Sequence, residues 1–142
     1  MGKQNISFTS HLIEFSLAEE EKYISVLKQI FADFKKDYST IQYIFCDDAY
    51  LLELNKTHLN HDFYTDILTF PYGTELLESD IFISIDRVKE NAESFGVSFD
   101  NELSRVIVHG VLHLVGMDDQ DPNDREKMRL AENQYIDKII NN

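Results

Sequence analysis

Apolar residues recur along the chain with two periods, and each period predicts a type of secondary structure. From Ser16 to about Tyr38 they recur every three or four residues, which is the spacing of one helical face. This face consists of Tyr23, Val26, Leu27, Ile30, Phe31 and Phe34. Ser16 followed by Glu19 resembles a capping box at the start of the helix. The segment is therefore predicted to be an amphipathic helix with a solvated outer face.

Four short segments have the alternation, or the branched and aromatic content, of β-strands. They are Ile6–Thr9, Ile41–Cys46, Thr65–Phe70 and Ser79–Ile85. The third is expected to stop at Pro71 and Gly73, because proline cannot donate a hydrogen bond to a sheet and both residues favour turns. The last two strands are expected to pair.

Further helices are predicted between and after these strands. They run from Asp47 or Asp48 to about Thr57, from Asp86 to near Gly96, from Asp100 to about Val115, and from Asp121-Pro122 onward. A polar loop is expected over Asn55 to Tyr64. In the last helix proline suits the first turn, and the expected buried positions are Met128, Leu130, Tyr135 and Ile139.

This order of elements predicts the fold class. Helices alternate with three or four strands over short connections, which is typical of an α/β (α+β) domain with helices packed on a small mixed four-stranded sheet. The chain has 142 residues, of which 43% are hydrophobic, so it can form a real core and is not a disordered chain. We therefore expect a single layered domain spanning residues 1–142.

Composition also limits location and partners. No apolar run approaches the length of a membrane span, no signal peptide is recognisable, and the single Cys46 excludes an internal disulfide. A cytoplasmic protein without membrane contact is expected. The net charge of −13 disfavours tight binding of nucleic acid through many phosphate contacts, although a local basic groove remains compatible with it.

The strongest candidate chemistry lies at the end of the third of these helices, which is predicted to be central. His109 and His113 stand one helical turn apart in an apolar run, so both imidazoles lie on one face. Gly116 allows the chain to turn back and present Asp118 or Asp119 to the same point. Two imidazoles and a carboxylate form a divalent metal site with room for water.

The histidine pair has two other interpretations. The zincin protease pattern His-Glu-x-x-His has the same spacing, but Gly110 stands where its glutamate base is required, which disfavours a thermolysin-like peptidase. A protein without any site, in which His109 and His113 are core residues, is disfavoured because burying two unpaired imidazoles among apolar residues is costly.

The stretch from His109 to Asp119 resembles the His-Gly-x-Leu-His-Leu-x-Gly-Tyr-Asp-His motif of the YbeY family, bacterial metal-dependent endoribonucleases of ribosomal RNA maturation. Three further stretches are similar to family motifs. They are Leu54-Asn55 with Thr65–Phe70, Asp80–Ser84, and Glu102-Leu103 before the metal-bearing helix. The resemblance extends from about Asp47 to the C-terminus, in the same order as in the family.

The resemblance implies a metal-dependent, single-strand-specific endoribonuclease acting in 16S rRNA 3′-end maturation and ribosome biogenesis. Its partners would be single-stranded ribosomal RNA and the small ribosomal subunit. His109, His113 and Asp119 would hold one zinc ion, with iron or manganese also compatible, and metal-activated water would attack the phosphodiester. Asp66 is a candidate catalytic proton acceptor, with a purely structural role for Thr65-Asp66 as the alternative. Asp118 is expected to orient a histidine ligand.

The chain departs from the family pattern at three positions. Asp119 replaces the usual third histidine, which lowers the charge of the site and makes bound water less acidic. Leu59 stands where the family has an arginine, whose planar fork binds phosphate. His58, His61 or Lys56 could substitute for this arginine, and the alternative is that they are simply exposed polar residues of the loop. Tyr64 stands where the family has a proline before the Thr-Asp pair.

Two further functions are compatible with the sequence. One is a ribosome-associated maturation factor whose metal is structural, which the acidic charge and the missing arginine favour. The other is a metallohydrolase acting on a different substrate, such as a peptide or a small phosphoester.

Overall fold

The computed structural model describes residues 4–59, 65–73 and 75–141, which form five helices and one four-stranded sheet. The elements are β1 (Asn5–Ser10), α1 (Glu20–Asp33), β2 (Tyr38–Cys46), α2 (Asp48–Leu59), β3 (Ile67–Tyr72), β4 (Leu77–Ser84), α3 (Ile85–Phe95), α4 (Phe99–Leu114) and α5 (Pro122–Ile140). The predicted α/β (α+β) fold class, with helices on a small mixed sheet, is confirmed. None of the helices in the described ranges has both the length and the apolarity needed to cross a membrane.

The sheet has the strand order β1-β2-β4-β3. β1 pairs with β2 and β2 with β4 in parallel, whereas β3 pairs with β4 in antiparallel. The expected pairing of the last two strands is therefore confirmed. The expectation that Pro71 stops the strand is wrong, because β3 runs on to Tyr72. β3 is an edge strand, and proline is tolerated there because one side of the strand needs no ladder donor.

Helix α4 lies against the sheet and forms the centre of the core. Its residue Ile107 is fully buried, and the hydroxyl of Tyr43 on β2 donates a 2.6 Å hydrogen bond to the carbonyl of Ile107. Gly110 lets the helix approach closely, since a Cβ there would lie 3.1 Å from Cδ1 of Ile67 and 3.4 Å from Cγ2 of Ile81. This packing fixes the position of the histidine face relative to β3.

Several predicted helix ends are corrected by the structure. Glu19 precedes α1 in a left-handed conformation without a side-chain cap, so the predicted capping box is wrong. Tyr38 belongs to β2, because α1 ends at Asp33 and Lys35 turns the chain with a φ of 55°. The segment from residue 55 to 59 is helical rather than a polar loop, and residues 60–64, including His61 and Tyr64, lie outside the described residues.

The caps of α3 and α4 are serines rather than aspartates. The side chain of Ser84 accepts from the backbone N–H of Arg87, and that of Ser98 from the N–H of Asn101. The predicted starts, Asp86 and Asp100, each lie one residue inside the observed helices, in their first turns. A carboxylate there interacts favourably with the positive end of the helix dipole, which explains why acids mark these helix starts without capping them.

Helix α5 begins as predicted but buries a different face. Asp121 caps it by accepting from the N–H of Asp124, and Pro122 occupies the first turn. Leu130, predicted to be buried, is 61% exposed. It lies two residues from the buried Met128, on the opposite side of the helix. The buried stripe continues instead through Glu132, which brings a carboxylate into the α4–α5 interface.

Candidate metal centre

The two histidines of α4 lie on one face, as their spacing predicts. Their ring centroids are 6.0 Å apart and the ring planes are inclined by only 14°. The surroundings differ from those expected from the apolar run: the His109 side chain is 25% exposed and His113 is exposed. The two rings are therefore not buried in the core, because the apolar residues around them pack on the other side of the helix.

His109 is held by a carboxylate from α5. Its Nδ1 lies 2.7 Å from Oε2 of Glu132, and Oε1 of Glu132 accepts a 2.8 Å hydrogen bond from Arg105. Arg105 also donates to Oδ1 of Asn133 at 2.7 Å. Because an ionised carboxylate only accepts, Nδ1 of His109 donates, and the neutral ring keeps its lone pair on Nε2. Nε2 is the atom that faces Asp119.

The electrostatics of this pair follow from burial and contact. Burial is the largest influence on His109 and opposes its charged form, but Glu132, Asp119 and Asp66 together raise its pKa above the ordinary value. Burial also opposes the ionised form of Glu132, yet its bonds to His109 and Arg105 lower its pKa. The shifts in opposite directions indicate that the two groups stabilise one another's charged forms.

His113 is oriented by the turn that follows α4. Its Nδ1 lies 3.0 Å from the carbonyl oxygen of Met117, which only accepts, so Nδ1 donates and Nε2 is left as the acceptor in the neutral ring. Gly116 makes this turn with a φ of +112°, and its N–H bonds to the carbonyl of His113 at 3.1 Å. The predicted glycine turn at the end of the helix is confirmed.

The three aspartates after the turn have different contacts. Oδ2 of Asp119 lies 3.4 Å from Nε2 of His109. Asp118 accepts from the N–H of Asp119 at 2.8 Å, and Asp121 caps α5. The prediction that Asp118 orients a histidine is wrong. Glu132 orients His109, and the carbonyl of Met117 orients His113.

The imidazole and carboxylate groups of this site are of the types that bind a divalent cation, but they do not converge on one point. Both Nδ1 atoms are engaged, both Nε2 atoms remain as potential ligands, and a carboxylate stands beside one of them. Within residues 4–59, 65–73 and 75–141, no three His, Cys, Asp or Glu side chains converge closely enough to form a complete metal-binding group. Engaged Nδ1 atoms are typical of metal-ligating histidines, so the arrangement suits a divalent cation.

Asp66 immediately precedes β3 and lines a cavity of about 330 Å³ together with His109, Asp119 and Glu102. Its backbone carbonyl accepts from the N–H of Ser84 at 3.0 Å, which anchors the strand end. Burial is the main reason that the pKa of Asp66 is raised, and the positive charges of His109 and Arg87 oppose the shift. The residue thus combines a structural backbone contact with a carboxyl group in the cavity.

Sequence reasoning missed Glu132 and Arg105 as part of this site. One signal was present: Glu132 occupies a position on the apolar stripe of α5, four residues after Met128 and three before Tyr135. A charged residue on a buried stripe indicates a paired partner. The identity of the partner, His109, depends on how α4 and α5 pack together.

The positions proposed to replace the family arginine lie on or after α2. The ring of His58 packs edge-on against Phe70, with centroids 5.6 Å apart. Lys56 is exposed on the same helix. Neither is among the described residues that line the cavity with His109.

Comparison with known proteins establishes the family. Residues 5–140 match the family described as Endoribonuclease YbeY. The chain belongs to the YbeY family. It is 49% identical to Endoribonuclease YbeY of Bacteroides thetaiotaomicron over 111 residues, which cover 78% of this chain and 81% of that protein. The corresponding protein of Flavobacterium psychrophilum is 45% identical over 132 residues, covering 92% and 94%.

A solved structure shows the same fold. The solution structure of a protein from Thermotoga maritima superposes with a TM-score of 0.63 and 25% identity, covering 95% of this chain and 89% of that one. The YbeY resemblance inferred from the histidine motif is thus confirmed by relatives that extend over nearly the whole chain.

Proposed function

We propose that this YbeY chain is a metal-dependent endoribonuclease that hydrolyses single-stranded ribosomal RNA. The relatives that it matches bear the name endoribonuclease. The observation that carries the proposal is the arrangement of His109 and His113, whose Nδ1 atoms are both engaged by acceptors and whose Nε2 atoms remain for a ligand.

One divalent cation would be held by Nε2 of His109, Nε2 of His113 and the carboxylate of Asp119. When bound, it would polarise the phosphodiester and lower the pKa of a water molecule to supply the nucleophile. Zinc is the first candidate, and the carboxylate ligand also suits iron or manganese. Glu132 would keep His109 in the tautomer that presents Nε2.

Asp66 would accept the proton of the attacking water. Its carboxyl group lines the same cavity as His109 and Asp119, and burial raises its pKa. A carboxylate with a raised pKa is a stronger base, which improves proton transfer at neutral pH. Asp66→Asn should therefore keep the metal and lower cleavage by about 10²- to 10⁴-fold. Unchanged cleavage would leave Asp66 with its backbone role alone.

The proposed substrate is the precursor of the 16S rRNA 3′ end, met on the small ribosomal subunit in the cytoplasm. The family implies this setting. A cavity of about 330 Å³ would hold a nucleotide unit of a single strand rather than a duplex.

A second candidate is a ribosome-associated maturation factor with a structural metal. The net charge of −13 favours this function, because the acidic surface outside the site repels RNA. A protein that retains its metal and binds ribosomal particles, yet cuts no RNA, would support this function instead.

The test is metal content and RNA cleavage, measured side by side on wild type, His113→Ala and His11→Ala. His11 is a matched control, because its ring centroid lies 4.4 Å from that of Tyr50 and it is not among the described cavity residues. Wild type and His11→Ala should carry about one divalent ion per chain and cut single-stranded RNA, whereas His113→Ala loses both properties. Equal metal content in all three proteins would show that His113 does not bind the metal, and the proposed site would be wrong. Cleavage that survives a chelator would indicate a contaminating nuclease.

A further inference from the structure

We infer that Phe95, Arg125 and Arg129 form the surface that binds single-stranded RNA at the mouth of the cavity. A base stacks on the ring of Phe95, and the flanking phosphates lie against the two guanidinium groups. This inference rests on the proposed function, and it assigns substrate binding to residues outside the histidine motif.

Phe95 is an exposed aromatic residue beside a polar cavity. It is the last residue of α3, is 60% exposed, and lines the cavity that contains His109 and Asp119. The buried stripe of α3 runs through Val88 and Ala92, and Phe95 stands at the next position of that stripe. The helix ends there, so the ring reaches the cavity mouth instead of the core. Proteins that bind single strands without sequence preference use such aromatic rings as stacking platforms.

Arg125 and Arg129 lie one turn apart on α5 and line the same cavity. Residues at this spacing share a helical face, so the two guanidinium groups can contact consecutive phosphates. Both side chains are exposed. Nη1 of Arg125 donates to the carbonyl of Gln120 at 2.8 Å, which steadies the side chain while its other N–H groups remain as donors.

The third arginine of the cavity has a different role. Arg105 is committed to Glu132 and Asn133 at 2.8 and 2.7 Å, so it supports His109 rather than a substrate. Together with His109, it also offsets the charge of Glu132 within the cavity wall.

The overall charge makes this local pair important. With a net charge of −13, the chain repels RNA at long range, so phosphate contacts must come from cations placed next to the cleavage site. Among the described residues that line the cavity, Arg125 and Arg129 are the exposed lysine or arginine side chains. They lie on α5 and line the same cavity as Asp66.

The inference is tested by binding, separately from cleavage. Protein as purified is titrated in the cold into a short fluorescent single-stranded RNA, whose integrity is then checked on a gel. The variants are Phe95→Ala, the double change Arg125→Gln with Arg129→Gln, and the same pair changed to Lys. The controls on α5 are Lys127→Gln and Leu130→Ala, which are exposed and are not among the described cavity residues.

We expect Phe95→Ala to weaken binding about tenfold. The double Gln variant should weaken binding and reduce the slope of log K against log salt by about 1.4, because each lost phosphate contact on a single strand contributes about 0.7. The double Lys variant should keep the wild-type slope, and the two controls should bind as wild type. A residue that only supports the fold would not change the salt slope.

Two results would overturn the inference, and only the second also overturns the proposed function. If wild type binds and cuts RNA while the Phe95 and Arg variants bind as well as the controls, this surface is wrong and the proposed function stands. If wild type neither binds nor cuts RNA, the proposed function fails and the inference fails with it.

Discussion

The two histidines of α4 are equivalent by spacing, but they are held by two different kinds of structure. His109 lies on the buried side of the site, where Glu132 and Arg105 fix it across the α4–α5 interface. His113 lies on the exposed side, where the Met117 carbonyl in the turn at Gly116 holds it. One side is therefore set by packing between helices, and the other by a short turn.

This difference predicts how the two sides respond to substitution. Changes on the buried side remove partners from groups that water cannot readily reach, so they lower both protein stability and metal affinity. Removal of a side chain on the exposed side leaves the remaining groups in contact with water, so it lowers metal affinity with little loss of stability.

The largest effect is expected for Glu132→Ala. Arg105 and His109, whose side chains are 17% and 25% exposed, would lose their shared partner. We expect the free energy of unfolding to fall by about 2–4 kcal/mol and metal affinity to fall about 10- to 100-fold. Urea denaturation and zinc titration measure the two effects, and Glu126→Ala on the exposed face of α5 is the control. Stability equal to that of the control would show that the buried contact is unimportant.

The pH dependence of the metal-free protein sharpens this prediction. The pKa of Glu132 is lowered from 4.5, so its contribution to stability is present above 4.5 and lost as the pH falls through the lowered value. The pKa of His109 is raised from 6.5, so its contribution is present below 6.5 and lost as the pH rises through the raised value. Wild type should therefore exceed Glu132→Gln in stability most clearly between about pH 4.5 and 6.5. A difference that does not change with pH would argue against the ion pair.

On the exposed side, Asp119→Ala should lower metal affinity about tenfold and leave the free energy of unfolding almost unchanged. Only its carboxylate, among the three aspartates, contacts His109. Asp118→Ala is the matched control, since that side chain accepts from the N–H of Asp119 instead. Equal metal affinity in the two variants would mean that the third ligand lies elsewhere.

The smallest effect is expected for Gly116→Ala. The φ of +112° is unfavourable for alanine by about 1–2 kcal/mol, although the space around the glycine is open. The strain should shift the turn that holds His113 and lower metal affinity by less than about tenfold. Gly96→Ala, with a φ of +68° and open surroundings, introduces comparable strain away from the turn. It should lower stability without changing metal affinity, and a matching loss of affinity in both would exclude a specific role for the turn.

Much of the site and the fold class could be predicted from local patterns. The spacing of His109 and His113 fixes their common face in any helix, and Gly116 makes the turn that its sequence position predicts. The alternation of helical and strand periods predicted the mixed sheet. The errors lie where two local signals compete, as at α3 and α4: Asp86 and Asp100 are helix starts by sequence, but they lie in the first turns, and Ser84 and Ser98 provide the caps.

The other errors and omissions concern contacts between distant segments. Leu130 has the residue type of a core position, but the face of α5 that meets α4 carries Glu132 instead. The partner of Glu132 is His109, 23 residues earlier in the chain. Neither periodicity nor residue type indicates which helices pack against each other, so the contact between Glu132 and His109 could not be predicted from the sequence.

The amino-acid sequence therefore settles the family, the alternation of elements, the shared face of two imidazoles and the glycine turn beyond them. These properties follow from the 3.6-residue repeat and from allowed backbone angles, which act within a few residues. The fold adds the Glu132 contact, the exposure of Phe95 and the meeting of Arg125 and Arg129 with the histidine site in one cavity. Such distances are set by the packing of helices on the sheet, where many weak contacts across the chain act together.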